Sequence, residues 1–399
     1  MTKSNTGNSK FLKAYNEEGI LDLIRVKKAL SRSDLSKLTG LSPTATGVIV
    51  SSLIDRGYIY ETGTGESKGG RRPVLLELKP DSYYSVGIDI EVDNILFVLM
   101  DITGRVVHEG TAPMEANTPE AAVSAIAGIV SGIAETRSMD AGKLLGVGIS
   151  VPGLVDVTSR MVILAPNLGW KEADIKGMLE KRLDIPVYIE NEAMASAICE
   201  DWIGECRDVS DFVCVNIKSG IGAGIFTDGS LYRGSSGSAG EVGHIVVDED
   251  GPKCGCGNRG CLETFASTGR IVEKARKLLK RGAVSTLNET GCAEDITFDD
   301  IVNAAMNGDA VSKGLLDEAA MYLGIALSGI VNMLNPSKIV LGKDFTKYGG
   351  MVMNIIRDEV DRRALKKPAS NVEIIMSRMG ERSSTLGAAI IPLKILFGG

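Results

Sequence analysis

The chain has 399 residues, 44% hydrophobic and 24% charged. These are ordinary globular proportions that exclude a disordered polypeptide and provide for two or three domains. The net charge of -7 argues against a nucleic-acid binder overall, but the first 80 residues carry 13 Lys/Arg against 8 Asp/Glu and the rest 31 against 43, a basic arm on an acidic body. Glycine, at 47 residues, is in excess and points to tight turns and close backbone approaches. No run of 18 apolar residues occurs, so no membrane span is expected, and Met1 to Lys10 lacks a signal-peptide core. Seven cysteines in a chain of this size suggest free thiols and a cytoplasmic location.

Along the chain, Ile20, Leu23 and Ile24 mark one face of a first helix. Ser31-Arg-Ser-Asp34 reads as a capping box for a second helix, with Leu35 and Leu38 inward and Gly40 as its stop. Ser42-Pro43 opens a third helix that runs to about Arg56. Helices joined through Thr39-Gly40-Leu41 predict a helix-turn-helix, with Ser42, Thr44 and Thr46 of the recognition helix aimed at base edges of DNA. The stretch Thr44-Ala-Thr-Gly-Val48 is short of long polar or basic side chains. Tyr58–Tyr60 and Val74–Leu78 predict a hairpin whose glycine-rich tip carries Lys68, Arg71 and Arg72, a wing suited to phosphates or a minor groove.

From Tyr84 the pattern becomes α/β. Strands are expected at Val86–Ile90, Ile95–Met100, Leu145–Ser150, Val187–Ile189 and Phe212–Asn216, with helices at Thr118–Arg137 and Ala193–Cys199. Ser219-Gly-Ile-Gly-Ala-Gly224 is either a phosphate loop or, more commonly, a hairpin reversal. Glu241-Val-Gly-His244 precedes Cys254-Gly-Cys256-Gly-Asn-Arg-Gly-Cys261, which puts one of two histidines and three cysteines within 18 positions. That matches a tetrahedral His-Cys₃ zinc set, and four protein ligands leave no open position, so the zinc would be structural. Cys199, Cys206, Cys214 and Cys292 read as core hydrophobes.

With Pro166-Asn167-Leu-x-Trp170, Glu190-Asn-Glu-Ala193, Asn335-Pro336 and Ile339-Val-Leu-Gly342, these motifs resemble the ROK family of repressors and sugar kinases from about Asn16 onward. The resemblance implies a two-lobed, actin-like α/β body with the ligand between lobes, preceded by a winged helix-turn-helix. The expected division is 1–80 for DNA binding, 84–190 plus 385–399 for the first lobe, and 191–384 for the second lobe with the zinc. Implied sugar contacts are Asn167, Asn191, Glu192, Glu241, His244 and Glu263, with His244 also on the metal. A homodimer on a two-fold operator is implied as well.

Kinase members open with Asp-x-Gly-Gly-Thr, whereas here Asp89-Ile-Glu91-Val-Asp93 places two carboxylates near the phosphate position. Gly342-Lys343 stands for a Gly-Gly pair, and Glu192 for an aspartate base. A sugar-responsive repressor is therefore expected, with an ATP-dependent sugar kinase as the alternative. Glu-Asn-Glu-Ala resembles the xylose-repressor type, which suggests a xylose-class effector with glucose and N-acetylglucosamine as rivals.

Overall fold

Local capping chemistry sets the N-terminal helices. In the computed structural model, which describes residues 9–65, 72–137, 139–156, 159, 161–289 and 292–398, α1 (Ser9–Lys27), β1 (Leu30–Ser31), α2 (Arg32–Thr39), α3 (Pro43–Asp55), β2 (Ile59–Thr64) and β3 (Val74–Leu78) form a winged helix-turn-helix. The α2 capping box is reciprocal. Asp34 N donates to Ser31 Oγ at 3.2 Å and Ser31 N to Asp34 Oδ2 at 3.1 Å. Gly40 takes φ +71° and closes α2. Ala45 N donates to Ser42 Oγ at 3.2 Å and starts α3.

Ile20, Ile24, Leu35, Val50 and Leu53 are buried among the helices. Leu38, expected inward, is 54% exposed, because the two-turn α2 buries only a narrow stripe around Leu35. β2 and β3 pair antiparallel as the wing, with Ile59 opposite Leu78. Lys68 and Arg71 of its tip lie outside the described residues.

The chain divides into two compact units, Met1–Ile149 with Asn167–Ile189 and Ala388–Gly399, and Ser150–Pro166 with Glu190–Gly387. The sequence reading assigned 150–166 to the first lobe and set 1–80 apart; here 150–166 go with the second unit and the N-terminal arm with the first. Tyr58 stacks on Tyr83 at 4.4 Å, and Tyr83 Oη donates to Arg56 O at 2.8 Å, just before the next strand.

β4 (Tyr84–Ile90), β5 (Asn94–Asp101) and β6 (Val106–Pro113) form an antiparallel meander. α4 (Pro119–Thr136), β7 (Leu144–Val151), β8 (Leu154–Val155), β9 (Val162–Ala165), β10 (Trp170–Ala173), α5 (Ile175–Leu183) and β11 (Val187–Asn191) follow. The five-stranded sheet runs β11-β7-β4-β5-β6. Residues from the C-terminal helix close the first unit. Ser85 Oγ donates to Ala389 O at 2.7 Å, and a Cβ on Gly148 would fall 1.8 Å from Ala388 O. The Arg25 guanidinium lies 5.8 Å from the Phe397 ring centroid.

The second unit contains α6 (Glu192–Trp202), β12 (Phe212–Ile217), β13 (Ile221–Thr227), β14 (Ser230–Tyr232), α7 (Glu263–Ala266), α8 (Thr268–Lys280), α9 (Phe298–Met306), α10 (Ala310–Leu334), β15 (Lys338–Lys343), α11 (Phe345–Arg363), α12 (Lys366–Asn371), β16 (Glu373–Met376) and the start of α13 (Ser383–Leu396). Its sheet runs β14-β13-β12-β15-β16, with β15 parallel to both β12 and β16. Among the described residues α10 is long and apolar enough to cross a membrane. It instead supplies Leu323, Leu327 and Ile330 to the buried core with Val215 and Leu341 of the sheet, which makes it a core helix.

Candidate functional site

The His-Cys₃ set converges. His244 ends a 3-10 turn, Val242–His244, while the three cysteines sit on a loop held by short backbone bonds. Cys254 N donates to Asn258 O at 2.8 Å, and Gly257 N to Cys254 O at 3.1 Å. Gly260, at φ +66°, passes so close to Asp248 O that a Cβ would fall 1.5 Å from it, so only glycine closes this turn. Leu262 N then donates to Ile245 O at 2.8 Å, drawing the cysteine loop onto the histidine turn.

The four donor atoms lie within 4.8 Å of one another. His244 Nδ1 is 3.7 Å from Cys254 Sγ, and Cys256 Sγ is 3.7 Å from Cys261 Sγ. Tetrahedral zinc with Zn–S of about 2.3 Å requires sulfur–sulfur edges of about 3.8 Å, so the donors fit. Burial pushes the Cys261 thiol up to about 12, a cost that a bound cation reverses by holding the thiolate. A backbone hydrogen bond at Asn258 lowers the exposed Cys256 thiol.

Around this set stand the carboxylates. Glu241 Oε2 is 4.0 Å from His244 Nε2, the ring nitrogen turned away from Cys254. Glu241 is held above the ordinary carboxylate range by burial and by the Glu263 charge, partly offset by His244. Glu263 begins α7 and accepts from Ile221 N at 3.3 Å through Oε2. A Cβ at Gly220 would meet that oxygen at 3.2 Å, one at Gly222 would meet Ala193 Cβ at 3.2 Å, and one at Gly224 would meet Ala197 Cβ at 2.3 Å. The glycines of the 219–224 hairpin therefore admit Glu263 and seat α6.

Asn191 is engaged in structure. Its Oδ1 accepts from Ala193 N and Met194 N, capping α6, and its Nδ2 donates to Gly153 O at 2.7 Å. Glu192, the first residue of α6, has Oε1 3.2 Å from Lys343 Nζ. Lys343 is 1% exposed and takes φ +59°, and its Nζ also donates to Glu381 O at 3.0 Å and Ser384 Oγ at 2.5 Å. Sequence reasoning noted Lys343 as a departure but missed its pairing, and it missed the ion pair of buried Glu190 with Arg233 at 2.5 Å. Asn167 lies in the first unit, exposed, and Glu91 and Asp93 sit at the β4–β5 turn, where Glu91 N donates to Asn94 O at 2.9 Å.

On the helix-turn-helix, Ser42 and Thr44 are exposed, as is Arg72 beside the wing. Thr46 is a correction. It is fully buried, with no hydrogen-bond partner for Oγ1. Two residues beyond Thr44 is about 200° round the helix, so Thr46 faces the core.

The ROK family profile matches residues 85–395. The chain is 35% identical over 382 residues to a xylose repressor from Caldicellulosiruptor bescii, with 96% of each chain covered. It matches the crystal structure of a ROK family transcriptional regulator, a homolog of the E. coli MLC protein, with TM-score 0.85 and 27% identity over 97% of each chain. A ROK family glucokinase from Streptomyces griseus, solved in complex with glucose and AMPPNP, matches with TM-score 0.69 and 30% identity over 77% of this chain and 98% of its own.

Proposed function

The chain belongs to the ROK family, and from that premise we propose that it is a sugar-responsive transcriptional repressor. The observation that carries this is coverage: the likeness to a xylose repressor spans 96% of the chain, the helix-turn-helix included, against 77% for the glucokinase. Kinase chemistry is opposed by Glu91 and Asp93 at the β4–β5 turn and by the bulk of Lys343 where the resemblance leads one to expect glycine.

In this reading a homodimer binds a two-fold operator with half-sites spaced by about 10 base pairs or a multiple. Ser42 and Thr44 approach base edges, and Lys68, Arg71 and Arg72 contact phosphates. A xylose-class monosaccharide is the effector, bound through Asn167, Asn191, Glu192, Glu241, His244 and Glu263. Carboxylates and amides suit adjacent hydroxyls because each can accept or donate in pairs. Asn191 has one N–H left for this after capping α6 and bonding Gly153. Zinc, held by His244, Cys254, Cys256 and Cys261, supplies a cross-link that fixes the loop and the imidazole ring. His244 then keeps Nε2 on the Glu241 side.

The test is a thermal-shift panel of xylose, glucose and N-acetylglucosamine, with and without ATP and magnesium, since a ligand of the native state raises its stability. The stabilising sugar is then titrated with and without operator DNA, in wild type and in E241A. Coupling between such sites is typically about 1–3 kcal/mol, a 5- to 150-fold change in DNA affinity, and operator must weaken sugar binding equally. Equal sugar affinity in both conditions would end the regulator reading. Sugar-dependent ADP release at roughly 1–100 per second would favour the kinase.

A further inference from the structure

The outward stripe of the recognition helix lacks any long hydrogen-bonding side chain. Thr44, Gly47, Val48 and Ser51 follow one another at helical spacing along α3 and edge a shallow depression of about 540 Å³. Val48 is 61% exposed, an isopropyl group between hydroxyls. Asp55 and Arg56, at the end of this helix, line the same depression beyond that stripe, and Arg56 is held by Glu17, with Nη2 2.6 Å from Oε2 and the guanidinium 5.1 Å from the Tyr58 ring centroid.

Paired recognition of guanine takes Arg or Lys, and of adenine Asn or Gln. The Thr44–Ser51 stripe offers none of these. The apolar feature of the major groove is the thymine 5-methyl group, and apolar side-chain carbon is its complement; on this stripe Val48 offers the most of it, beside the Thr44 methyl group. At Gly47 nothing lies within 4 Å of where a Cβ would be, so bare backbone flanks Val48 and a base edge can approach closely. Duplex DNA is the occupant that the charge indicates, since the first 80 residues carry 13 basic against 8 acidic side chains.

We propose that Val48 reads a thymine methyl group, which makes an A·T pair at one position of each half-site a determinant of operator choice. This rests on the DNA-binding reading above. Its occupant is the major groove of duplex DNA, and its discriminating contact is methyl against methyl.

The experiment selects binding duplexes from a random-sequence library with the full-length protein. Each thymidine of the enriched site is then replaced singly by deoxyuridine, which removes the methyl group and nothing else. For wild type, such a replacement in one half-site lowers affinity about fourfold, the worth of one buried methyl-sized group, and replacement in both half-sites about fifteenfold. V48A binds the parent duplex more weakly by a similar factor, shows a smaller penalty than wild type on the replacement at that one position because only its Cβ remains to meet the methyl group, and keeps the wild-type salt dependence because no charge has changed. Its melting temperature, matched to wild type, shows that the fold is intact. Equal deoxyuridine penalties in wild type and V48A at every position would overturn the assignment of Val48 while leaving DNA binding in place. Failure to enrich any duplex would overturn the DNA-binding reading and this proposal together.

Discussion

Replacing Lys343 by Met tests whether the second unit depends on one buried charge pair. The ammonium is almost wholly buried and lies 3.2 Å from Glu192 Oε1, whose side chain is 21% exposed. Removing one partner of a buried pair costs about 3–5 kcal/mol, because the other charge is left without compensation. Glu192 retains some solvent, which places the value at the low end, about 3 kcal/mol. The backbone carbonyl of Glu381 and the Ser384 hydroxyl also lose a donor, which adds up to about 1 kcal/mol. Near the midpoint about 1 kcal/mol corresponds to roughly 2–4 °C for a unit of this size, so Lys343→Met should melt roughly 6–16 °C below wild type. The double variant Glu192→Leu with Lys343→Met removes both charges and should recover most of that loss. Melting followed by circular dichroism on the zinc-loaded protein reads all three. A single variant within 1 °C of wild type, or a double variant less stable than either single, would refute the view that Glu192 and Lys343 compensate each other.

Further expectations concern the core, the metal and acid. Thr46→Val replaces a buried, unpartnered hydroxyl by a methyl group and should raise stability by about 1 kcal/mol in urea unfolding. Native protein should carry one zinc per chain by elemental analysis, and Cys256→Ser should lose it, melt lower and bind the effector more weakly through the Glu263 segment. Zinc-free native protein would rule this out. Asp309 caps α10, accepting from Ser312 N at 2.8 Å, Thr286 N at 3.0 Å and Ser285 Oγ at 3.0 Å. Burial alone would raise its pKa, but these hydrogen bonds outweigh it and hold it below the ordinary aspartate value. Its contribution is therefore complete above about pH 4 and lost as pH falls through the lowered value. Asp309→Asn should cost about 1–2 kcal/mol at pH 7, and the gap to wild type should narrow in acid; a gap independent of pH would contradict the assignment.

What could be read from the sequence was what the chain does locally. The Ser31–Asp34 box, the Gly40 stop and the Ser42 cap are contacts between near neighbours, and each took the form their spacing implies. The His-Cys₃ set was legible because few residue types bind zinc and the intervening glycines permit one loop. The errors have a common cause. Leu38 and Thr46 were placed by type and spacing alone, while their exposure depends on where α1 and α3 lie. Glu192 with Lys343 and Glu190 with Arg233 pair across long stretches of sequence, and a lysine after Gly342 carries no local sign that it will be buried. The β6 strand escaped notice because its residues are mostly half-exposed or exposed, with no continuous apolar run.

The closing contact between Ser85 and Ala389 spans 304 positions, and it imposes a timetable on synthesis. At about 5–20 residues per second, roughly 15–60 s separate the emergence of β4 from that of the residues that cover it. For most of that interval β4, β5 and β7 are all available but Ala388, which packs against Gly148, is still untranslated. Arg25 on α1 likewise waits for Phe397. The first unit is thus the first to appear and the last to be completed, and a nascent chain presents its uncovered sheet to chaperones and to other nascent copies. Slowing initiation, and so spacing ribosomes on the message, should improve recovery of native protein more than slowing elongation, which only lengthens the exposure.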